Sequence, residues 1–379
     1  MLRVAIVGAG QIAQEHLRVW KTLPNTSVQA VCDVNMNSAR SLALAAGPSA
    51  TPYSDFSALL LATSFDLVDI CTPPSTHADL AIRAMESGRD VLVEKPMAAS
   101  VEEAREMIRV HRATGARLGI MRNWLFGPVL WKALTMVHRG DVGEVLSVQI
   151  NMLDTPQDDM IADPRHWSHS LSGGRLGECL IHPLYIAQAF LGNIELREVL
   201  PDKRGSYSWV AIDEVQITVK GERGIGNLYV SFNAPRKSVA VEVIGTKAIL
   251  RVDMINHSLV KLGKSTDDRR SRMLTNLGEA AQLIKGTIAS TALFATGRWQ
   301  SGGHTKFLEI FAESIESGRP FPVTAEEALR SFEILNDVGA ILDSYAPAAV
   351  SVVEEEEART RRSSKAPRTS SSARMPDAQ

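Results

Sequence analysis

Lys95 sits between Glu94 and Pro96, directly after the apolar run Val91-Leu92-Val93. A lysine placed where an apolar strand stops points into the crevice at the carboxyl ends of an open α/β sheet, where such sheets keep their ligands. Burial there makes an amine a usable proton acceptor near neutral pH. Pro96 fixes its own φ and holds Lys95 extended, which aims the amine, while Glu94 can hold it charged if it turns toward it. Further along, Glu178 and His182 are four residues apart, so on a helix over 176–190 they share one face and reach one cleft. His182 is there a proton acceptor or an orienting donor to a hydroxyl. Lysine and histidine suit hydride transfer at an alcohol carbon, which needs a base for the hydroxyl proton and, in reverse, an acid for the carbonyl oxygen.

The hydride carrier has its own signature. Gly8-Ala9-Gly10-Gln11-Ile12-Ala13 fits G-x-G-x-x-A. Gly8 permits the tight turn, Gly10 lets a pyrophosphate approach the backbone, and Ala13 lets helix and strand pack closely. The N–H groups at the helix start, from Gln11 and Ile12 on, face the phosphates. Asp33 ends the second strand, near the roughly 20-residue offset at which an acid binds the adenosine ribose diol. Val34, Asn35, Met36 and Asn37 follow with no arginine among them, so NAD is favoured over NADP; Arg40, a turn further on, is still within reach of a phosphate.

The elements that must hold these groups show in the periodicity. Val4-Ala5-Ile6-Val7 reads as a strand, Gly8-Ala9-Gly10 as a turn, and Ile12, Leu17, Val19 and Trp20 as the buried stripe of a helix ending by Pro24. Val28 to Cys32 gives a second strand and Leu67 to Cys71 a third. Capping-box patterns at Thr76 to Asp79 and Ser100 to Glu103, with stops at Gly88 and Gly115, mark the next helices. This predicts an α/β N-terminal Rossmann domain with a parallel, doubly wound sheet. After Met121 a period of two takes over: Leu146, Val148, Ile150 and Met152 alternate with Ser147, Gln149 and Asn151. Val215 to Val219, Leu228 to Phe232 and Val239 to Val243 repeat it. That predicts an α+β C-terminal domain with a large, mostly antiparallel open sheet, covered by helices over 183–191 and around 305–343. From about Val353 the chain is charged and polar and reads as a disordered tail. The expected division is 1–121, 122–346 and a tail over 347–379.

Composition narrows the function. The 379 residues suit two or three domains at roughly 150 residues each. A net charge of −2 offers no positive field to nucleic acid. Cys32, Cys71 and Cys179 are far apart, and no Cys/His cluster has metal-ligand spacing, so no metal and a reducing, cytoplasmic location are expected. The start of the chain lacks a secretory pattern, and no apolar run reaches the roughly 18 residues of a membrane span.

Three motifs in order, Gly8-x-Gly10-x-x-Ala13, Thr72-Pro73-Pro74 with His77, and Glu94-Lys95-Pro96, together resemble the glucose-fructose oxidoreductase / inositol dehydrogenase / MocA family. The segment from Gly173 to His182 resembles that family's glycine-rich stretch ending in D-x-x-x-H, with Glu178 in the acid position. The resemblance covers residues 1–345. It implies a Rossmann domain followed by a substrate-binding and oligomerising domain. It also implies oxidation of a secondary alcohol of a sugar, sugar derivative or cyclitol, or reduction of the ketone, with NAD or NADP. It further implies a dimer or tetramer through the outer sheet face, a cis Lys95-Pro96 bond, and Thr72, Pro73 and His77 near the nicotinamide ribose, beside Glu94 and Lys95. Glu in place of Asp adds a methylene, so the substrate contact at 178 is moved, weakened or replaced by a structural salt bridge.

Other candidates are less specific. Arg165, His166, Trp167 and His169 form a polar-aromatic cluster of the kind that binds sugars, or an ordinary surface loop. Asn123 and Trp124, at the domain junction, are candidate substrate contacts. Residues 264–303 are acid-poor, flanked by Arg269, Arg270 and Arg272, and amphipathic through Leu277, Ala281, Ile284 and Ile288. They fit a core or dimer helix, or one lying on a membrane or over a lipid-linked sugar substrate. Two other functions fit the motifs: an NAD-dependent glycoside hydrolase working by transient oxidation, and a non-catalytic dinucleotide-binding regulator. The presence of both Lys95 and His182 argues against the regulator.

Overall fold

The alternating apolar runs and helices of the first third close, in the computed structural model, into a six-stranded parallel sheet. The structure describes residues 1–61, 65–264, 268–295 and 303–345, and the tail expected over 347–379 lies outside them. The strands are β1 (Leu2–Val7), β2 (Thr26–Cys32), β3 (Thr51–Tyr53), β4 (Leu67–Ile70), β5 (Asp90–Val93) and β6 (Leu118–Ile120), in the order β3-β2-β1-β4-β5-β6. They alternate with α1 (Gln11–Trp20), α2 (Met36–Ala46), α3 (Phe56–Leu61), α4 (His77–Glu86) and α5 (Val101–Thr114). The order reverses between β1 and β4, which places the ligand crevice at their carboxyl ends. The Gly8 turn, Thr72, Lys95 and Asn123 follow β1, β4, β5 and β6, so all four reach that edge.

The second domain begins with α6 (Pro128–His138) and is built on a seven-stranded sheet. Its strands are β7 (Val145–Leu153), β8 (Ile194–Asp202), β9 (Glu214–Gly221), β10 (Gly224–Ser231), β11 (Ser238–Gly245), β12 (Ile249–Asp253) and β13 (Ser258–Leu262). The order is β13-β12-β11-β7-β10-β9-β8, antiparallel except for the parallel pair β7 and β10. Val148, Ile150, Ile217, Val219, Leu228, Val230, Val241 and Val243 are buried, facing a helical layer. The helices are α7 (Asp159–Ala162), α8 (Gly174–Cys179), α9 (Ile181–Leu191), α10 (Arg269–Ala295), α11 (His304–Ser317) and α12 (Ala325–Tyr345). The last two return to the first domain: Arg105 and Arg112 of α5 pair with Glu333 and Glu326 of α12. The ring of Phe311 occupies the space a Cβ on Gly119 of β6 would need.

Several expectations change in detail. Leu67 to Ile70 is the fourth strand, because β3 precedes it. With three residues, Pro52 at its centre and no buried position, β3 is an edge strand without a periodic signal. Ser100 caps α5 as expected, accepting from the Glu103 N–H at 3.2 Å, and the Glu103 carboxylate accepts from the Ala99 N–H. Thr76 does not cap α4. Pro74 starts a 3-10 turn ahead of it, and the Thr76 hydroxyl donates to Thr72 and to the Pro73 carbonyl instead. The helix over 176–190 is two helices meeting at Leu180, just ahead of Pro183. Leu146 is half exposed at the start of β7, unlike its alternating partners.

Gly8 has φ +94°, and a Cβ there would lie 2.6 Å from the Cys71 carbonyl oxygen at the end of β4. The glycine thus serves the close approach of two strands as well as the turn. Gly8→Ala is expected to destabilise the cofactor-free protein by about 1–3 kcal/mol, read as a lowered thermal midpoint.

Candidate active site

The carboxyl edge of the first sheet carries a chain of buried charges. His16, fully buried on α1, places Nδ1 2.9 Å from Asp69 of β4 and Nε2 3.0 Å from Glu94 at the end of β5. The Trp20 indole donates to the same Asp69 at 2.7 Å. Burial opposes a charge on His16, but Asp69 beside it overcomes this and raises its pKa well above the usual histidine range. Glu94 is likewise opposed by burial, yet its hydrogen bond and charge contact with His16 hold its carboxyl at about 2. The other Glu94 oxygen accepts the Lys95 backbone N–H at 3.1 Å. Glu94 therefore turns toward His16 and its own backbone, leaving the Lys95 amine to another partner.

That partner is Glu178. The Lys95 amine donates to one Glu178 oxygen, and the Arg175 guanidinium donates to the other. Burial pushes the Glu178 carboxyl up, but Lys95 and Arg175 more than offset it and hold it at about 2. The glutamate is buried near the C-terminal end of α8, and its extra methylene ends in a bridge between two cations. The Lys95-Pro96 bond is cis.

His182 lies on α9, stacked on Trp124 with ring centroids 4.1 Å apart, and its Nδ1 is 2.7 Å from the Tyr185 hydroxyl. Burial, with the nearby Lys95 charge, lowers its pKa to about 3, so the ring is neutral at pH 7. The Tyr185 oxygen also accepts the Trp124 N–H at 3.4 Å, and Arg122 lies over the Tyr185 ring. Nε2 of His182 makes no hydrogen bond among the described residues. Asn123 is buried, with its amide nitrogen 3.2 Å from His304 Nε2.

At the cofactor side, Gly10 is exposed, and a Cβ there would meet nothing within 4 Å, so a phosphate has open access to the backbone. No side chain caps α1, which leaves the N–H groups of Gln11, Ile12 and Ala13 to an anion. Asp33 stands beside this turn and accepts the Ala9 N–H at 2.7 Å. A dinucleotide fits these groups. His77 is fully buried, its two ring nitrogens 3.0 Å from the Pro96 carbonyl and 2.8 Å from the Thr72 carbonyl. It ties the lysine turn to the Thr72-Pro73 turn from beneath. Arg165 is exposed and paired with Asp163, His166 accepts from the Ser168 N–H, and Trp167 is half exposed. This turn packs against α8, at the rim of the Glu178 site.

His16, Asp69, Arg175 and Tyr185 escaped the sequence reading. The signals were a histidine on the apolar stripe of α1, an acid inside the apolar run of β4, and a tyrosine one turn beyond His182. His16 with Asp69 and Cys71, and His16 with Glu94 and His304, bring ligand-type atoms within 4.8 Å of one another. Within these groups His16 hydrogen-bonds Asp69, Glu94 and Cys71, while His304 Nε2 lies against the Asn123 amide.

Comparison with known proteins is consistent along the chain. Residues 2–121 match a profile described as an oxidoreductase family with an NAD-binding Rossmann fold, and 130–251 match the GFO/IDH/MocA C-terminal domain. An inositol 2-dehydrogenase of Pseudomonas savastanoi is 29% identical over 86% of this chain and 97% of its own length. A D-glucoside 3-dehydrogenase of Escherichia coli is 36% identical over 38% of this chain and 41% of its own. The WlbA dehydrogenase of Bordetella pertussis, solved with NADH and UDP-GlcNAcA, has the same fold, with a TM-score of 0.73 at 18% identity over 90% of this chain and 95% of that one.

The two buried networks have opposite pH signatures. Glu178 titrates below its unfolded value, so its contribution is present above pH 4.5 and lost as pH falls toward about 2. His16 titrates above its unfolded value of about 6.5, so its contribution is full below that pH and lost as pH rises through the folded value. In urea unfolding, Glu178→Gln should cost about 3–5 kcal/mol at pH 7, with the gap shrinking in acid. The gap for His16→Gln should shrink in alkali.

Proposed function

The chain belongs to the GFO/IDH/MocA oxidoreductase family, and from that premise we propose that it transfers hydride between NAD and a secondary alcohol or ketone carbon of a sugar, sugar derivative or cyclitol. The observation that carries this reading is the Lys95 amine. It sits at the carboxyl end of β5, paired with Glu178 and close enough to His182 to shift its titration, on the sheet edge that also carries Gly8, Gly10 and Asp33. The relatives named for inositol carbon 2 and glucoside carbon 3 support an alcohol on a polyhydroxylated ring.

NAD, when bound, supplies the hydride acceptor. Gly8, Gly10 and the N–H groups of Gln11, Ile12 and Ala13 hold its pyrophosphate, and Asp33 holds the adenosine ribose diol, which favours NAD over NADP. Thr72, Pro73, His77 and Glu94 fix the turns at the nicotinamide end. Lys95 takes the hydroxyl proton when its amine is neutral as the substrate carbon is oxidised, and as the ammonium paired with Glu178 it returns the proton in reduction. Glu178 keeps the amine aimed and supplies the countercharge while the lysine carries the proton.

The assignment for His182 follows from its partners. The Tyr185 oxygen receives the Trp124 N–H, so its own hydrogen is free to point at His182 Nδ1. That leaves the imidazole proton on Nε2, making His182 a donor that orients the substrate oxygen. Asn123, Arg165, His166 and Trp167 contribute the surrounding sugar contacts. The uncovered face of the second sheet, carrying Gln149, Asn151 and Glu242, is the surface through which a second copy joins to form a homo-oligomer.

Lys95→Ala is expected to lower turnover by about 10²–10⁴-fold on any accepted polyol, followed as NADH formation, while NAD binding persists. Unchanged turnover would remove the lysine, and this reading, from the mechanism. Tyr185→Phe should lower kcat by about tenfold or more with NAD affinity unchanged, because it frees the His182 tautomer.

A further inference from the structure

Helix α10 is amphipathic in the reverse sense to a helix that closes a core. Its polar and small residues face the protein. Gln282 bridges the backbone of Lys261 on edge strand β13, donating to the carbonyl at 3.1 Å and accepting the N–H at 2.9 Å. The Ser290 hydroxyl donates to the His257 carbonyl at 3.0 Å. Glu279, the helix's one acid, lies on the same side and acts on Arg251 of β12. At 100° per residue Met273, Leu274, Leu277, Ile284 and Ile288 fall on the opposite side, and these five are 60–69% exposed. The apolar stripe thus points into solvent. A sheet edge is closed from one face of the helix while the other stays bare among the described residues.

The charges beside the stripe select the occupant. Arg269, Arg270 and Lys285 are exposed on or beside it, and no acid lies on that half of the helix. An apolar strip flanked by cations complements an anionic lipid surface, where the strip enters the acyl boundary and the cations meet the headgroups. Against a second copy of itself the same face sets cation against cation, with no carboxylate to pair. No helix among the described residues is long and apolar enough to cross a membrane, so the contact is peripheral.

We propose that the outward face of α10 is a peripheral membrane-docking surface for anionic lipid bilayers. The surface is independent of the dehydrogenase reading and holds whatever the substrate. Docking the protein by the β13 edge presents the molecule side-on to the bilayer.

The test is co-sedimentation of the full chain with phosphatidylcholine vesicles, with and without phosphatidylglycerol, at low and high salt. The protein should sediment with the anionic vesicles, and less so as salt rises. Leu277→Glu with Ile284→Glu should lower the bound fraction by about tenfold, with the circular dichroism spectrum and unfolding midpoint unchanged. Absence of sedimentation with anionic vesicles, or sedimentation indifferent to the double substitution, overturns the proposal. If the full chain stays in solution while the double substitution halves its mass in size exclusion, the stripe belongs to a second copy. If only a chain ending at residue 345 sediments, the stripe belongs to the protein's own C-terminal segment.

Discussion

Two carboxylates buried beside an imidazole set the rest of the candidate site. Asp69 lies inside β4 and Glu94 just past the end of the neighbouring β5, and a carboxylate buried at either place needs a hydrogen-bonding partner. His16 lies between them with one nitrogen on each. Glu94, so fixed, holds the Lys95 backbone with its second oxygen, and the lysine side chain is left to span the cleft to Glu178. The geometry of the amine is therefore determined from below, by groups that need never meet a ligand. Arg175 completes the sequence on the far side, so each carboxylate along this line has a cationic or hydrogen-bonding partner.

Much of this was legible where it was local. The G-x-G-x-x-A turn, Asp33 at the end of its strand, the Ser100 cap and the period-two strands of the second half are each encoded within a dozen residues or fewer, and the structure forms them. The polar network was not, because His16 and Asp69 are 53 positions apart and Lys95 and Glu178 are 83 apart. A histidine on the buried stripe of α1 and an acid in the middle of the apolar run Leu67 to Ile70 break the pattern without saying what each will meet. The sense of α10 was hidden for a related reason. Periodicity reveals that a helix has two faces, while which one turns inward depends on the neighbour, here the open backbone of β13.

Glu178 shows how a small departure changes a site. The sequence posed it as a moved, weakened or salt-bridged contact; in the structure it bridges Lys95 and Arg175, both oxygens engaged. The longer side chain reaches two cations, and the carboxylate becomes part of the frame that holds the amine. Tyr185 has a parallel effect on His182, whose Nδ1 it engages while Nε2 makes no hydrogen bond among the described residues.

The contact between Gly119 and Phe311 bears on how the two halves are joined. An aromatic ring from the second half is seated against the backbone of the last strand of the first, at a point where even a methyl group has no room. Arg122, buried close by, is held by the Glu327 carbonyl and the Ser331 hydroxyl of α12. Moving α12 off the first sheet would strand the buried Arg122 guanidinium, so α12, which also packs on α8, α9 and β8, is anchored to both halves.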